Sequence, residues 1–209
     1  MSISLSIVET NRQIEGMINR SISESINKKL KSNSKRVINR IKSMIPTWIQ
    51  EQKEIMSLIS DGVPGSLNAQ FGLVPGQSIT AAAAIINAIS ESIVVDIPSI
   101  KSDLKGQILF KIQPEDFNNL LNLPEGYVQT LSRNLHWLDW LLTMGGTAIV
   151  TGYEYQPSND GRSGGGTMVS GNVWRVPSAY SGTTDNNFVT RALSNREKQI
   201  SDTLKELFK

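Results

Sequence analysis

The chain has 209 residues, 39% of them apolar and 6% aromatic, with a formal charge of +2, no cysteine and a single histidine, His136. That length suits one domain with an appendage or two small ones, and it is enough to bury a core. Without cysteine there are no disulfides, thiolate nucleophiles or zinc–sulfur sites, and the thin apolar content points to much exposed surface or to a core completed between subunits.

Residues 10–45 carry a helical period: Ile14, Ile18, Ile22, Ile26 and Leu30 fall four apart, and Val37, Ile38, Ile41, Met44 and Ile45 continue it. A strict spacing of four drifts around a straight helix, which predicts a break near KSNSK (31–35), and Pro46 is expected to end the run. Thr47 then caps a second helix over 48–60, with Trp48, Ile49, Ile55, Met56 and Ile59 inward and Gly62 and Pro64 as stops. PGSLNAQFGL (64–73) reads as a helical turn between glycines, and SITAAAAIINAI (78–89) as a helix whose alanines permit close approach.

SIVVDI (92–97) and GQILFKIQ (106–113) read as the strands of a hairpin, with Ile108, Phe110 and Ile112 alternating against Gln107, Leu109 and Lys111. QPEDFNNLLNL (113–123) predicts a helix with proline and two acids in its first turn. A further helix over 127–143 carries Leu131, Leu135, Leu138, Leu141 and Leu142 and stops at Gly145-Gly146. TAIVTGYEY (147–155) and TMVSGNVWRV (167–176) are strands, and a last helix over 184–208 takes Thr184 or Asp185 as its cap. The fold class is therefore α+β: N-terminal helices (1–62), then a core (63–209) with a small twisted antiparallel sheet, a long hairpin arm at about 147–176 and a closing C-terminal helix.

The start MSISLSIVETNRQ lacks a basic region followed by an apolar run, so no secretory signal is expected and the chain reads as soluble and made in the cytosol. The longest apolar stretch, 79–89, falls short of the roughly 20 residues that span a bilayer. Charge is uneven. Residues 1–60 hold ten Lys/Arg against five Asp/Glu, and Lys28, Lys29, Lys31, Lys35, Arg36, Arg40 and Lys42 come with no intervening acid. Such a run binds nucleic acid electrostatically or forms a solvated helix face. No aromatics are interleaved for base stacking.

The connection from Gln156 to Thr167 runs into GRSGGGTM (161–168). A phosphate-binding loop needs a Gly-Lys-Ser/Thr ending that opens into a helix, whereas this one opens into a strand and lacks the lysine. A mobile hairpin arm that orders against a partner is the better account. The acid pairs Glu51/Glu54 and Glu115/Asp116 sit at helix starts or on exposed faces, and His136 has no serine or second histidine beside it in sequence. Trp137 and Trp140 share a helix face and read as core or interface anchors. No enzyme is spelled out, and no cofactor or metal is called for.

Four segments, HWLDWLLTMGG (136–146), GRSGGGTM (161–168), WRVP (174–177) and SGTTDNNFVTRAL (181–193), together with PGSLNAQFGL, resemble a family of tailed-bacteriophage virion proteins, the neck or tail-completion proteins. The resemblance covers roughly residues 45–195. The chain departs from the family pattern at His136, where proline is expected, and in PGSLNAQFG, which lacks a basic residue. The resemblance implies a non-enzymatic virion protein, made in the host cytoplasm, that forms a ring of its own copies. That ring would join the portal/adaptor complex to tail-tube or tail-terminator proteins around the DNA channel, with no membrane involved.

It also marks Arg162, Trp174, Arg175, Pro177 and Arg191, with Trp137 and Trp140, as candidate interface residues. The basic run 28–42 then faces DNA in the channel by non-specific contact, or docks on a neighbouring subunit. Two other readings stand beside it: a sequence-independent DNA-binding accessory protein using the basic helix, and a phosphate-dependent enzyme using the glycine loop.

Overall fold

One helix of 40 residues, α1 (Asn11–Gln50), organises the fold. The computed structural model describes residues 9–107, 109–130, 134–194 and 196–208. Thr10 opens α1 with a capping box: its hydroxyl accepts the Gln13 N–H at 3.4 Å, and the Gln13 side chain accepts the Thr10 N–H at 2.8 Å. The helix runs through both expected stops. Residues 31–35 stay helical, and Pro46 lies inside the helix. Proline forfeits its own backbone bond there, but buried Trp48 and Ile49 hold the turn beyond it. Burial begins in earnest at Leu30 and continues through Val37, Ile41 and Ile45, whereas Met17, Ile18 and Ile22 are exposed. The first three turns therefore carry an apolar stripe that the body does not cover.

The expected second helix is split. Gln52 turns extended, and α2 spans only Lys53–Leu58. Ile55 and Leu58 face in, while Met56 and Ile59 are exposed, because the helix phase restarts at Lys53. The turn α3 (Leu67–Phe71) ends at Gly72, whose φ of 67° is the left-handed C-terminal geometry, and α4 (Gln77–Glu91) packs across α1. Asp61 ties this region together: Oδ1 accepts from Ser78 Oγ at 2.8 Å and from Asn68 Nδ2 at 2.5 Å, and Oδ2 accepts the Gly76 N–H at 2.8 Å.

β1 (Val94–Asp96) and β2 (Leu109–Lys111) pair antiparallel as expected, with Phe110 inward and Leu109 and Lys111 out; Ile108 lies outside the described residues. The helix expected over 113–123 is reduced to α5 (Asn118–Leu121), because Asp116 caps the Asn118 N–H at 3.1 Å and Phe117 takes a left-handed φ of 54°. The helix expected over 127–143 is corrected too. Its first part holds β3 (Val128–Gln129), paired antiparallel with β4 (Asn134–Leu135), and only α6 (Trp137–Leu142) is helical. Leu131 lies outside the described residues.

β5 (Val150–Pro157) and β6 (Gly166–Trp174) form the long hairpin. The closing helix divides into α7 (Phe188–Ser194) and α8 (Glu197–Leu204), with a 3₁₀ turn at Lys205–Phe208. The cap is Asn187, not Thr184 or Asp185: its Oδ1 accepts the N–H of Val189 and of Thr190, each at 3.0 Å.

The architecture is α+β, and among the described residues the strands form three separate two-stranded antiparallel ladders. One hydrophobic cluster runs from Leu30 through Ile49, Leu67, Ile85, Trp137 and Phe188 to Leu207, so the N-terminal helix and the remainder share a single core.

Candidate functional site

The β5–β6 hairpin is an arch anchored at both ends. At its base the Ile149 N–H donates to the Trp174 carbonyl at 3.0 Å, and the buried Trp174 ring meets Phe71 edge-on, with centroids 5.9 Å apart. Phe71 in turn packs on Trp137 at 5.4 Å. Between base and tip a register shift at Thr151/Tyr153 brackets Gly152, whose φ is 80°.

The tip folds back onto the body. Arg162 donates from Nε to the Gly72 carbonyl at 2.7 Å and from Nη1 to the Gln129 carbonyl at 3.0 Å. The Tyr155 hydroxyl donates to the Gly165 carbonyl at 2.6 Å and accepts the Gly65 N–H at 3.1 Å. Ser163 is buried against α3, and a methyl group on Gly165 would lie 2.9 Å from the Val63 carbonyl oxygen. The expected free arm is thus corrected: pairing extends to Pro157 and Gly166, the connection shrinks to residues 158–165, and the glycines let its backbone approach α3 closely.

Between these anchors the arch stands off the body over an open cavity of about 960 Å³. Phe71, Leu135 and Ile149 line it from below, and Tyr153, Met168 and Trp174 from the hairpin. Its lining is predominantly apolar, and the buried Trp174 Nε1–H has no acceptor. Such a space takes apolar side chains together with at least one carbonyl or hydroxyl oxygen.

Among the residues singled out in the sequence, Arg162 and Trp174 meet at this cavity, with Trp137 behind them in the core. Trp137 donates Nε1–H to the Glu125 carbonyl at 3.1 Å. Trp140 is half-buried, and its Nε1 also lacks a partner. Arg175 is exposed just past the base, 3.4 Å from the Gly146 carbonyl, while Pro177 begins the turn that Tyr180 closes at 2.8 Å. Arg191 lies elsewhere, with its guanidinium on Glu54 of α2 and, at 2.7 Å, on Asn186. Glu54, read from sequence as exposed or at a helix start, is fully buried, and burial pushes its carboxyl above the usual range despite Arg191. Glu51 pairs with Arg196, and Asp116 caps α5. His136 stacks on Tyr127 with ring centroids 4.1 Å apart; its burial lowers its basicity, and Asp139 opposes that only in part.

The basic run separates by helical phase. At about 100° per residue, Lys28, Lys31, Lys35 and Lys42 fall on one flank of α1 and Lys29, Arg36 and Arg40 on the other. The second flank meets the C-terminal turn: Arg40 pairs with Glu206 at 2.6 Å, and Arg36 reaches the Glu206 carbonyl at 3.5 Å. Lys28, Lys31 and Lys35 are exposed and, among the described residues, in no ion pair.

Tyr155, Ser163 and Asp61 were missed in the sequence. The first two hold the arch down, and the third braces the segment it rests on. Among the described residues no group of three or more His, Asp or Glu side chains is placed to hold a metal, and no helix is long and apolar enough to cross a membrane. The chain matches no protein-family model, no curated protein and no solved structure with which it was compared.

Proposed function

We propose that the chain is a structural virion protein that forms an oligomeric ring at the phage neck, joining the portal/adaptor complex to the tail around the DNA channel. The observation that carries this reading is the arch. Among the described residues its two strands bond only to one another along Thr151–Gln156 and Thr167–Val173, so both long edges keep unpaired backbone groups beside an apolar cavity. Free edges and apolar recesses accept neighbouring chains, and repeated head-to-tail contacts of this kind close into rings. The neck setting comes from the sequence resemblance.

Light scattering across a concentration range, with electron microscopy of the same sample, tests it. A discrete ring, formed alone or on a purified portal assembly, is expected. A monomer under both conditions removes the proposal.

The lysine flank favours a second reading, non-specific binding of duplex DNA. Each lysine that meets a phosphate steepens the salt dependence of binding by about one unit of log–log slope. Under that reading, replacing Lys28, Lys31 and Lys35 with glutamine flattens the slope by about three. Binding that is absent, or unchanged by the triple replacement, ends it.

A further inference from the structure

We propose that the apolar stripe on the first turns of α1 in one copy, Met17, Ile18 and Ile22, docks in the groove beside α2 of the next copy, on Met56, Ile59 and Val63. This supplies a contact of the ring proposed above and rests on that reading.

Both surfaces are apolar and open to water. On α1, Met17 is 56% exposed, Ile18 53% and Ile22 40%. At about 100° per residue the three fall on one side of the helix, within about 140° of one another. Beyond the other end of α1, Met56 is 55% exposed, Ile59 40% and Val63 50%. With Lys53 and Tyr180 they line an open groove of about 620 Å³. Met56 and Ile59 are three apart and form a ridge on α2. The groove runs on to Gly65, whose N–H donates to the Tyr155 hydroxyl at 3.1 Å under the arch tip. Apolar side chains gathered in this way, rather than scattered singly, mark surfaces that a partner covers.

Charge selects the occupant. Among the described residues lining the groove Lys53 alone is charged, and among the described residues it is in no ion pair. Around α1, Glu15 and Glu24 flank the stripe on its two sides, about 70° and 110° from its centre, while Arg12 and Arg20 lie more than about 130° away. Both glutamates are exposed and, among the described residues, in no ion pair. The stripe therefore brings negative charge to a groove whose one charge is positive. A helix laid by its apolar face into such a groove is a recurring mode of recognition, and the flanking charges set its register.

The stripe cannot fill the groove of its own chain. α1 is helical without a break from Asn11 to Gln50, which sets Ile18 about 48 Å from Gln50, and α2 is only six residues, about 9 Å, long. The body also grips α1 at Asn27, whose side-chain amide accepts the Ile100 N–H at 2.8 Å and donates to the Ile100 carbonyl at 2.9 Å. Donor and acceptor thus belong to different copies. They are different surfaces at opposite ends of one helix, so each copy gives its stripe to one neighbour and receives the stripe of another. Heterologous contacts of this kind close into a ring.

Cross-linking tests the contact directly, since the chain has no native cysteine. Co-expressed full-length Ile18→Cys and Met56→Cys chains are expected to form a mixed disulfide dimer on oxidation, and neither variant alone is expected to dimerise. Replacing Ile18 and Ile22 together with serine is expected to raise the concentration needed for assembly by about ten-fold or more, with an unchanged far-ultraviolet dichroism spectrum. Lys53→Glu is expected to weaken assembly as well, and adding Glu15→Lys and Glu24→Lys to that variant is expected to restore it. Disulfide dimers of Ile18→Cys alone would place stripe against stripe and overturn the inference. A ring that persists in the Ile18/Ile22 variant, with no mixed disulfide, also overturns it and leaves the ring itself standing. A wild-type chain that stays monomeric, alone and on the portal assembly, with no mixed disulfide, overturns both.

Discussion

Glu54 and Arg191 form an ion pair that joins α2 to α7, with the carboxylate fully buried and the guanidinium partly in water. Removing the arginine strands a buried charge whose second oxygen already lacks a partner. Arg191→Ala is therefore expected to destabilise the fold by about 3–5 kcal/mol. At roughly 2–4 °C per kcal/mol for a chain of this size, thermal unfolding should fall by about 10 °C.

The same carboxyl sets a pH dependence. Its folded pKa is raised, by burial above all, so the folded state holds the proton more tightly than the unfolded chain does. Its contribution to stability is present below the ordinary glutamate value and is lost as pH rises through the folded value. Glu54→Gln should remove that decline, which urea unfolding from pH 4 upward would detect.

His136 acts with the opposite sign. Burial against Tyr127 lowers its folded pKa, so on acidification the unfolded chain takes up a proton before the folded one. Stability should fall as pH drops below about 6.5, the ordinary histidine value. His136→Phe should flatten this slope while keeping the ring stack. Urea midpoints between pH 5.5 and 7.5 would report it.

Arg162 holds the arch tip through two backbone carbonyls. Arg162→Ala should cost about 1–3 kcal/mol locally. The readout is hydrogen exchange at residues 158–165, which should accelerate by about ten-fold or more while the amides of α1 are unaffected. Uniform acceleration across the chain would instead place Arg162 in the global stability of the fold.

Gly182 passes so close to α6 that a methyl group there would overlap the Leu141 carbonyl, while its own N–H donates to the Trp140 carbonyl at 3.1 Å. Gly182→Ala is expected to cost about 3 kcal/mol through overpacking. Gly146→Ala, with nothing within 4 Å of the added atom, is the control and should be near neutral.

Local signals in the sequence located what local chemistry decides. The glycines around LNAQF bracket α3, and the alternation through Phe110 and Ile112 marked the second strand of the β1–β2 hairpin. Where distant contacts decide, the reading failed. Pro46 did not stop α1 because Trp48 and Ile49 are buried beyond it, and Leu135 belongs to a strand paired with Val128 although its spacing from Leu138 and Leu142 is helical. The candidate site was half legible. Arg162 and Trp174 were identified, but the docking of the tip was not, since its acceptors are the carbonyls of Gly72 and Gln129, 90 and 33 residues away. A carbonyl oxygen leaves no mark in the residue type.

The grip of the C-terminal turn on the middle of α1 bears on how the chain is made. Asn33 Nδ2 donates to the Leu207 carbonyl at 3.1 Å across 174 residues, beside the Arg40–Glu206 pair, and Leu207 is fully buried. The flank of α1 thus waits for a turn 174 residues further along the chain before it is covered. A nascent chain lacks that cover until Lys205–Phe208 has been made, and removing that turn would reopen the centre of α1.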